Sequence, residues 1–193
     1  MKRILFIILF LSGTIMVSFG QIKGGLKGGI NICDFIVTNS GGIYNNEAFK
    51  TRTSYHLGSY VQTPLSEHFA FQLEVLFSNK GYKFSVEEHT TNGSLNYLNW
   101  PLLLIYQPKD FIEFEIGPEL GFLVSGEPLV NSFDMGLDIG ARLNISPKFN
   151  LGVRYSQGFA FKMNADESLS NGTSPKYANS VIQFYLGFNL VKE

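Results

Sequence analysis

Three glutamates, Glu113, Glu115 and Glu119, interrupt the otherwise apolar segment FIEFEIGPELGFLV over residues 111–124. Neighbouring carboxylates can exchange protons with a substrate, so Glu113 and Glu115 are candidates for acid–base catalysis. Carboxylates also occur in apolar company where one β-strand separates two solvents, because alternate side chains point to opposite faces. The choice between these interpretations depends on the elements that carry the glutamates.

Few other residues could build a catalytic site. A lipid deacylase would need a serine beside a histidine, but strand periodicity puts His56 and Ser59 on opposite faces. His68 and His89 have no metal-ligand spacing. Cys33 is the single cysteine, which excludes an internal disulfide, and we expect it only to pack. The sequence therefore predicts a protein that is not an enzyme and holds no metal or cofactor.

The N-terminus is typical of an exported protein. Lys2 and Arg3 precede the apolar run ILFIILFL, and Ser18 and Gly20 place small residues at a cleavage site. We predict a signal peptide over residues 1–20 and one domain over 21–193. A retained anchor is the alternative, although the run is short for a membrane span. The mature chain has 13 basic and 16 acidic residues, which gives no electrostatic reason to bind nucleic acid.

Alternation with period two is the dominant pattern of the mature chain. From Phe133 to Ile145 every odd position is apolar, and every even position is Asp, Gly, Arg or Asn. Such alternation predicts β-strands. Eight strands are predicted, at 22–32, 53–65, 68–86, 93–108, 111–126, 131–146, 149–163 and 179–191. An even number lets an antiparallel sheet close with both termini at one end.

The connections between these strands alternate in length. Three are tight polar turns that lead into a phenylalanine, within LSEHF (65–69), PKDF (108–111) and SPKF (146–149). The long polar loops 33–52 and 164–178 and the hairpin tip 87–92 connect the opposite ends. Short turns on one side and long loops on the other are typical of outer-membrane barrels. We predict an all-β, eight-stranded, antiparallel, up-and-down transmembrane β-barrel.

Composition indicates which face of this barrel is wet. Half of the polar face is glycine, which suits a crowded lumen better than bulk water. The apolar face carries Trp100, Tyr106 and Tyr155, as an interfacial aromatic girdle would. We therefore expect lipid outside and polar groups inside. A soluble lipocalin-like binding barrel stays as an alternative.

The strand positions that alternate with the apolar ones then predict which charged side chains lie inside the lumen. Its members are Lys23, Lys27, Glu74, Glu113, Glu115, Glu119, Asp138, Arg142 and Arg154. Unpaired charges in so narrow a space are costly, whereas paired ones are tolerated. The near balance of signs predicts a salt-bridged, occluded lumen, with the three opening glutamates paired to lysine and arginine. A narrow channel for small solutes is the alternative.

Several segments resemble a known family. YLNWPLLLIYQP (97–108), GLKGGINI (25–32), the Gly-Pro-x-x-Gly-x-Leu of 117–123 and Arg154-Tyr155-x-x-Gly158 are similar to strands of the small PorT-like outer-membrane β-barrel family. The chain departs from many outer-membrane barrels in ending on Leu190-Val191-Lys192-Glu193 instead of an aromatic residue. The resemblance implies a Gram-negative outer membrane and no cofactor, and some relatives take part in protein export to the cell surface.

From these observations we expect a monomer that contacts outer-membrane lipid and meets protein partners through its long extracellular loops. A non-enzymatic structural or accessory role is the favoured function. The rivals are a narrow porin-like channel and a lipid-modifying enzyme.

Overall fold

The computed structural model describes residues 22–38, 49–86, 89–126, 132–162 and 176–191. The predicted signal peptide lies outside these residues. The described residues form eight long strands and two short ones. The long strands are β1 (Lys23–Thr38), β3 (Arg52–Pro64), β4 (Phe69–Val86), β5 (His89–Lys109), β6 (Ile112–Ser125), β7 (Phe133–Asn144), β8 (Phe149–Gly158) and β10 (Lys176–Val191). The two-residue strands β2 (Phe49–Lys50) and β9 (Phe161–Lys162) extend the sheet beside β4 and β10. In the described part of the chain, no helix could cross a membrane.

The eight long strands close into a barrel. Each pairs antiparallel with the next along the chain, and β10 returns to pair with β1 over residues 24–38. The predicted fold, a closed eight-stranded antiparallel β-barrel, is confirmed. Closure removes both sheet edges, as a sheet in hydrocarbon requires, because no water is there to satisfy a free backbone N–H or C=O.

The two faces of the barrel have opposite polarity to those of a soluble barrel. In β6 the outward Phe114, Ile116 and Phe122 are 39–46% exposed, whereas Glu113, Glu115 and Glu119 are 2–3% exposed. The same alternation runs through the other long strands and leaves a continuous apolar outer surface. Such a surface fits lipid and not water, which argues against the lipocalin-like alternative. The outward positions of Trp100, Tyr106 and Tyr155 agree with the predicted aromatic girdle.

Two of the short turns share one geometry. Leu65 N and Ser66 N both donate to Phe69 O, at 2.8 and 3.0 Å, and Ser66 Oγ accepts from Phe69 N at 3.2 Å. The turn at Ile145–Phe149 repeats these bonds at 3.0, 3.1 and 3.1 Å, with Ser146 in place of Ser66. The repeated phenylalanine is therefore the residue that closes each turn and opens the next strand.

Several strands run further toward the opposite end than the sequence predicts, so the predicted loops are too long, whereas β8 ends earlier than predicted, at Gly158. Strand β1 runs on to Thr38, β3 begins at Arg52, and β10 begins at Lys176. The expectation of loops across all of 33–52 and 164–178 is wrong at these ends, while 39–48 and 163–175 lie outside the described residues. Beyond the lipid, outward residues no longer need to be apolar. Thus Cys33 and Phe35 are buried while Asp34 is exposed. Over residues 33–35 the apolar side chains face inward and the polar one faces outward, which is the reverse of the pattern in the rest of the strand.

Candidate functional site: the charged lumen

Among the described residues, ten Lys, Arg, Asp and Glu side chains lie inside the barrel with at most 3% exposure. They are Lys27, Lys80, Arg142, Arg154, Glu74, Glu113, Glu115, Glu119, Asp134 and Asp138. Eight of the nine residues predicted from the sequence are among them. The ninth, Lys23, is only half-buried at the end of the barrel that carries the short turns. Lys80 and Asp134 are additions that the sequence analysis missed.

A central cluster forms around Arg154 on β8. Its Nη1 and Nη2 donate to the two oxygens of Glu74, both at 2.8 Å, in a bidentate pair that suits a planar guanidinium. Its Nε donates to Glu115 Oε1 at 2.7 Å. Lys27 Nζ completes the cluster by donating to Glu74 Oε1 at 2.8 Å. Side chains from β1, β4, β6 and β8 thus meet at one level and cross the lumen.

An aromatic side chain fills the rest of this level. The Tyr185 hydroxyl donates to Glu115 Oε2 at 3.1 Å, and Lys27 Nζ stands 3.6 Å from the ring centroid. That distance permits a cation–π contact. Gly152 makes room for the ring, since a Cβ there would lie within 2.7 Å of Tyr185 Cε2. Glycine on the lumen face therefore has a packing role at this level.

A lower cluster lies toward the short turns. The Arg142 guanidinium pairs with Glu113 and donates to Gln72 Oε1 at 3.1 Å and to Gln62 Oε1 at 3.0 Å. Asn144 Nδ2 donates to the second oxygen of Glu113 at 2.9 Å. Each Glu113 oxygen therefore has a partner, and neither is free to act on a substrate.

An open vestibule of about 590 Å³ lies between this lower cluster and the short turns. Lys23, Gln107 and Asn189 line its walls, and Glu113 and Arg142 form its floor. Among the described residues Lys23 has no ion-pair partner within 4.0 Å, so its predicted pairing with a glutamate is absent from the structure.

An upper cluster lies toward the long loops. Lys80 Nζ is 2.9 Å from Glu119 Oε1 and 3.9 Å from Asp134 Oδ2. Asn179 Nδ2 donates to Asp134 Oδ2 at 3.2 Å. The three opening glutamates thus pair with Arg142, Arg154 and Lys80. Of these three partners, Lys80 was not predicted.

Apolar and aromatic side chains close the lumen above the upper cluster. Leu95, Tyr97 and Val181 are at most 1% exposed, and the rings of Phe35 and Tyr177 stack with centroids 5.4 Å apart. Cys33 is buried at this level, with its Sγ 3.5 Å from Ser54 Oγ. The described side chains therefore block the lumen both by charge pairing and by apolar packing.

The remaining catalytic candidates do not converge. His56 is buried in the lumen with Nδ1 2.7 Å from Asn31 Oδ1, whereas Ser59 is exposed on the outer face. In the part of the chain that the structure describes, no three His, Cys, Asp or Glu side chains form a metal-binding group. The chemistry that this site supports is mutual charge compensation.

An apolar outside, a closed antiparallel sheet and a polar packed lumen together define a transmembrane β-barrel. Comparison with known proteins refines that class. Residues 19–160 match the family model described as "Outer membrane protein beta-barrel domain", so the chain belongs to this family of outer-membrane barrels. This places it in the outer membrane of a Gram-negative bacterium, as the sequence predicts.

Solved structures show the same fold at low sequence identity. Neisserial surface protein A (NspA) is 11% identical, with a TM-score of 0.55 over 86% of this chain and 97% of its own. The outer membrane protein OprG from Pseudomonas aeruginosa is 13% identical, with a TM-score of 0.54 over 89% and 96%. No curated protein matches the sequence. These likenesses establish the barrel architecture.

Proposed function

We propose that the protein is a monomeric, non-enzymatic outer-membrane barrel with an occluded lumen, which acts in a structural or accessory role through its extracellular end. The observation that carries this proposal is the central cluster. Arg154, Glu74, Glu115 and Tyr185 fill the lumen with side chains that are at most 2% exposed. A water-filled pore would hydrate these charges, whereas direct ion pairs satisfy them here.

Ion conduction tests the occlusion. The wild-type protein in a planar lipid bilayer is expected to give no conductance steps, because the central cluster leaves no wet path. The double variant Glu115→Ala/Arg154→Ala removes one charge of each sign and much of the plug at the central level, and we expect it to give small conductance steps, limited by the packing of Leu95 and Tyr97 above the upper cluster. Lys148→Ala, on an exposed short turn, is the matched control. Wild-type steps as large as those of the double variant would support the narrow-channel alternative instead.

The extracellular end offers a specific surface for partners. Lys50 lies directly opposite Lys83 in the β2–β4 register, and both side chains are exposed. Like charges in directly opposed positions destabilise a sheet. Their presence favours a partner that is negatively charged where it contacts this end. The slight excess of acidic residues over the whole chain gives no such indication. The resemblance to the PorT-like family supports export of surface proteins as the accessory role.

Crosslinking in intact cells tests this surface. A photoreactive side chain at Lys83 or Lys176 is expected to capture a specific partner, because both positions are exposed at the extracellular end. The same probe at Lys109 or Lys148, exposed near the short turns, is the control. Equal products from both ends, or none at Lys83 and Lys176, would contradict an extracellular accessory role.

A lipid-modifying activity has less support, because His56 and Ser59 lie on opposite sides of the barrel wall. We also propose that residues 1–20 are removed on export, which leaves the barrel domain at 21–193.

A further inference from the structure

The vestibule lies at the short-turn end of the lumen, below the paired charges. This end faces the periplasm, because outer-membrane barrels place their short turns there. The vestibule volume of about 590 Å³ is within the range of small-molecule sites, roughly 300–1,000 Å³. The paired Glu113 and Arg142 form its floor and separate it from the central cluster. The vestibule is therefore a blind pocket, in which a ligand can bind without crossing the barrel.

Lys23 lines the wall of this pocket, is half-buried, and forms no ion pair within 4.0 Å with any described residue. Two exposed turn carboxylates lie nearby. Asp110 lines the vestibule, and Glu67 lines a smaller neighbouring hollow of about 230 Å³ that shares Lys23. Glu113 on the floor already has a partner for each oxygen. An anionic group that enters the vestibule would therefore meet a lysine whose ammonium group is available to bind it.

Two buried side chains on the lining carry polar atoms without partners. Arg142 is 2% exposed, and its Nε donates to no atom of the described residues, although its Nη atoms bind Glu113 and two glutamines. Asn150 is 2% exposed and donates through Nδ2 to the Tyr60 hydroxyl at 3.3 Å, whereas its Oδ1 accepts no bond there. Buried polar atoms are seldom left in this state, because each lost bond to water costs free energy. The lining thus offers a ligand one cationic donor and one acceptor.

We propose that the vestibule binds a small organic carboxylate that also carries hydrogen-bond donors, a chemistry that sugar acids and short peptides share. The carboxylate suits Lys23 Nζ and Arg142 Nε, because charge-assisted hydrogen bonds are the stronger kind. A hydroxyl or amide N–H suits Asn150 Oδ1, which can only accept. The side-chain amides of Gln107 and Asn189 add polar groups to the walls. The inference goes beyond the proposed function and does not depend on it, since binding in a blind pocket needs no pore.

Solution NMR of the protein in detergent micelles tests the site with defined probes. Titration with D-glucuronate or N-acetyl-dialanine is expected to shift the backbone amide signals of Lys23 and Gln107 in a saturable way. D-glucose carries hydroxyls without a charge, and acetate carries the charge without donors. Each lacks one half of the proposed contacts and is expected to bind about tenfold more weakly or worse. The probe that saturates at the lower concentration distinguishes a sugar acid from a peptide as the ligand, and saturation by either supports the site.

A matched pair of variants locates the binding. Lys23→Gln removes the charge but keeps a polar side chain, and it is expected to weaken binding of the better probe about tenfold. Both variants should fold, because Lys23 has no ion pair to lose and Lys148 is exposed on a short turn. Lys148→Gln, outside the vestibule lining, should bind like the wild type. Equal loss in both variants would show general attraction of anions to this end and overturn the proposal. Probe shifts no larger than those with D-glucose and acetate would also overturn it.

Discussion

Arg154→Met is expected to lower the free energy of unfolding by about 4 kcal/mol, the cost of removing one partner of a buried ion pair. Arg154 is 0% exposed and binds Glu74 through both Nη atoms and Glu115 through Nε. Methionine keeps much of the apolar volume but none of the donors. Glu74 keeps Lys27, whereas Glu115, which is 2% exposed, loses its ion-pair partner. Urea unfolding in detergent, followed by the fluorescence of the single tryptophan, measures the loss.

A matched double variant separates charge from packing in this prediction. In Arg154→Met/Glu115→Gln the abandoned carboxylate becomes neutral but can still accept the bond from the Tyr185 hydroxyl. We expect it to be more stable than Arg154→Met alone, with a positive coupling in the mutant cycle. Lys148→Met, on an exposed turn, should change stability by less than about 0.5 kcal/mol. If Arg154→Met were as mild as that control, the lumen would be hydrated and the occlusion proposal would fail.

Which side chains face lipid and which face the lumen could be predicted, because this depends only on whether a residue has an odd or an even position along its strand. Neighbouring residues of a strand must face opposite ways, so the apolar Phe114 and Ile116 and the acidic Glu113 and Glu115 sort themselves without knowledge of any partner. The closed barrel follows, since lipid outside tolerates no free sheet edge. The sequence also favours charge pairing over catalysis for the glutamates, because eight strands leave a lumen only just wide enough for side chains.

The pairing of the charges could not be predicted, because it depends on the stagger between strands. Glu74 and Arg154 are 80 residues apart and meet only across the lumen. No local pattern in the sequence indicates a contact between residues so far apart along the chain. A correct list of lumen residues therefore still left open which cation would meet each glutamate.

Lys80 was missed for a local reason. It has the same parity as Glu74, which was a usable signal, but the apolar alternation of β4 ends at Phe77. Asn79 and Lys80 are both buried, and Gly81 has a φ of 132°, a conformation that favours glycine. The strand is thus irregular where Lys80 enters the lumen. Asp134 also had a usable signal, because it shares the parity of Asp138 on β7.

Gly117→Ala is expected to destabilise the barrel by about 3 kcal/mol, at the upper end of the usual cost of overpacking. A Cβ at Gly117 would collide with the Leu102 carbonyl oxygen and stand 3.0 Å from Leu103 Cα, so β5 would have to move away from β6. Gly29 and Gly58 show the same relation to Tyr185 Cα and Leu76 Cα, at 2.7 and 2.8 Å. In each case the neighbouring backbone approaches more closely than a side chain permits. We infer that these glycines allow the small barrel to curve.

Gly24→Ala is the matched control, because the nearest atom to its Cβ would be Tyr60 O at an ordinary 3.7 Å. It should cost less than about 0.5 kcal/mol. The readouts are urea unfolding and the fraction of refolded protein that keeps its shifted mobility on an unboiled gel. Equal stability of Gly117→Ala and Gly24→Ala would show that β5 and β6 can separate without cost, and that curvature has another origin. A loss of stability in Gly117→Ala but not in Gly24→Ala would show that close backbone contact between β5 and β6 sets the tight closure of the barrel. The glycines would then determine the width of the lumen, and the salt bridges would fill it.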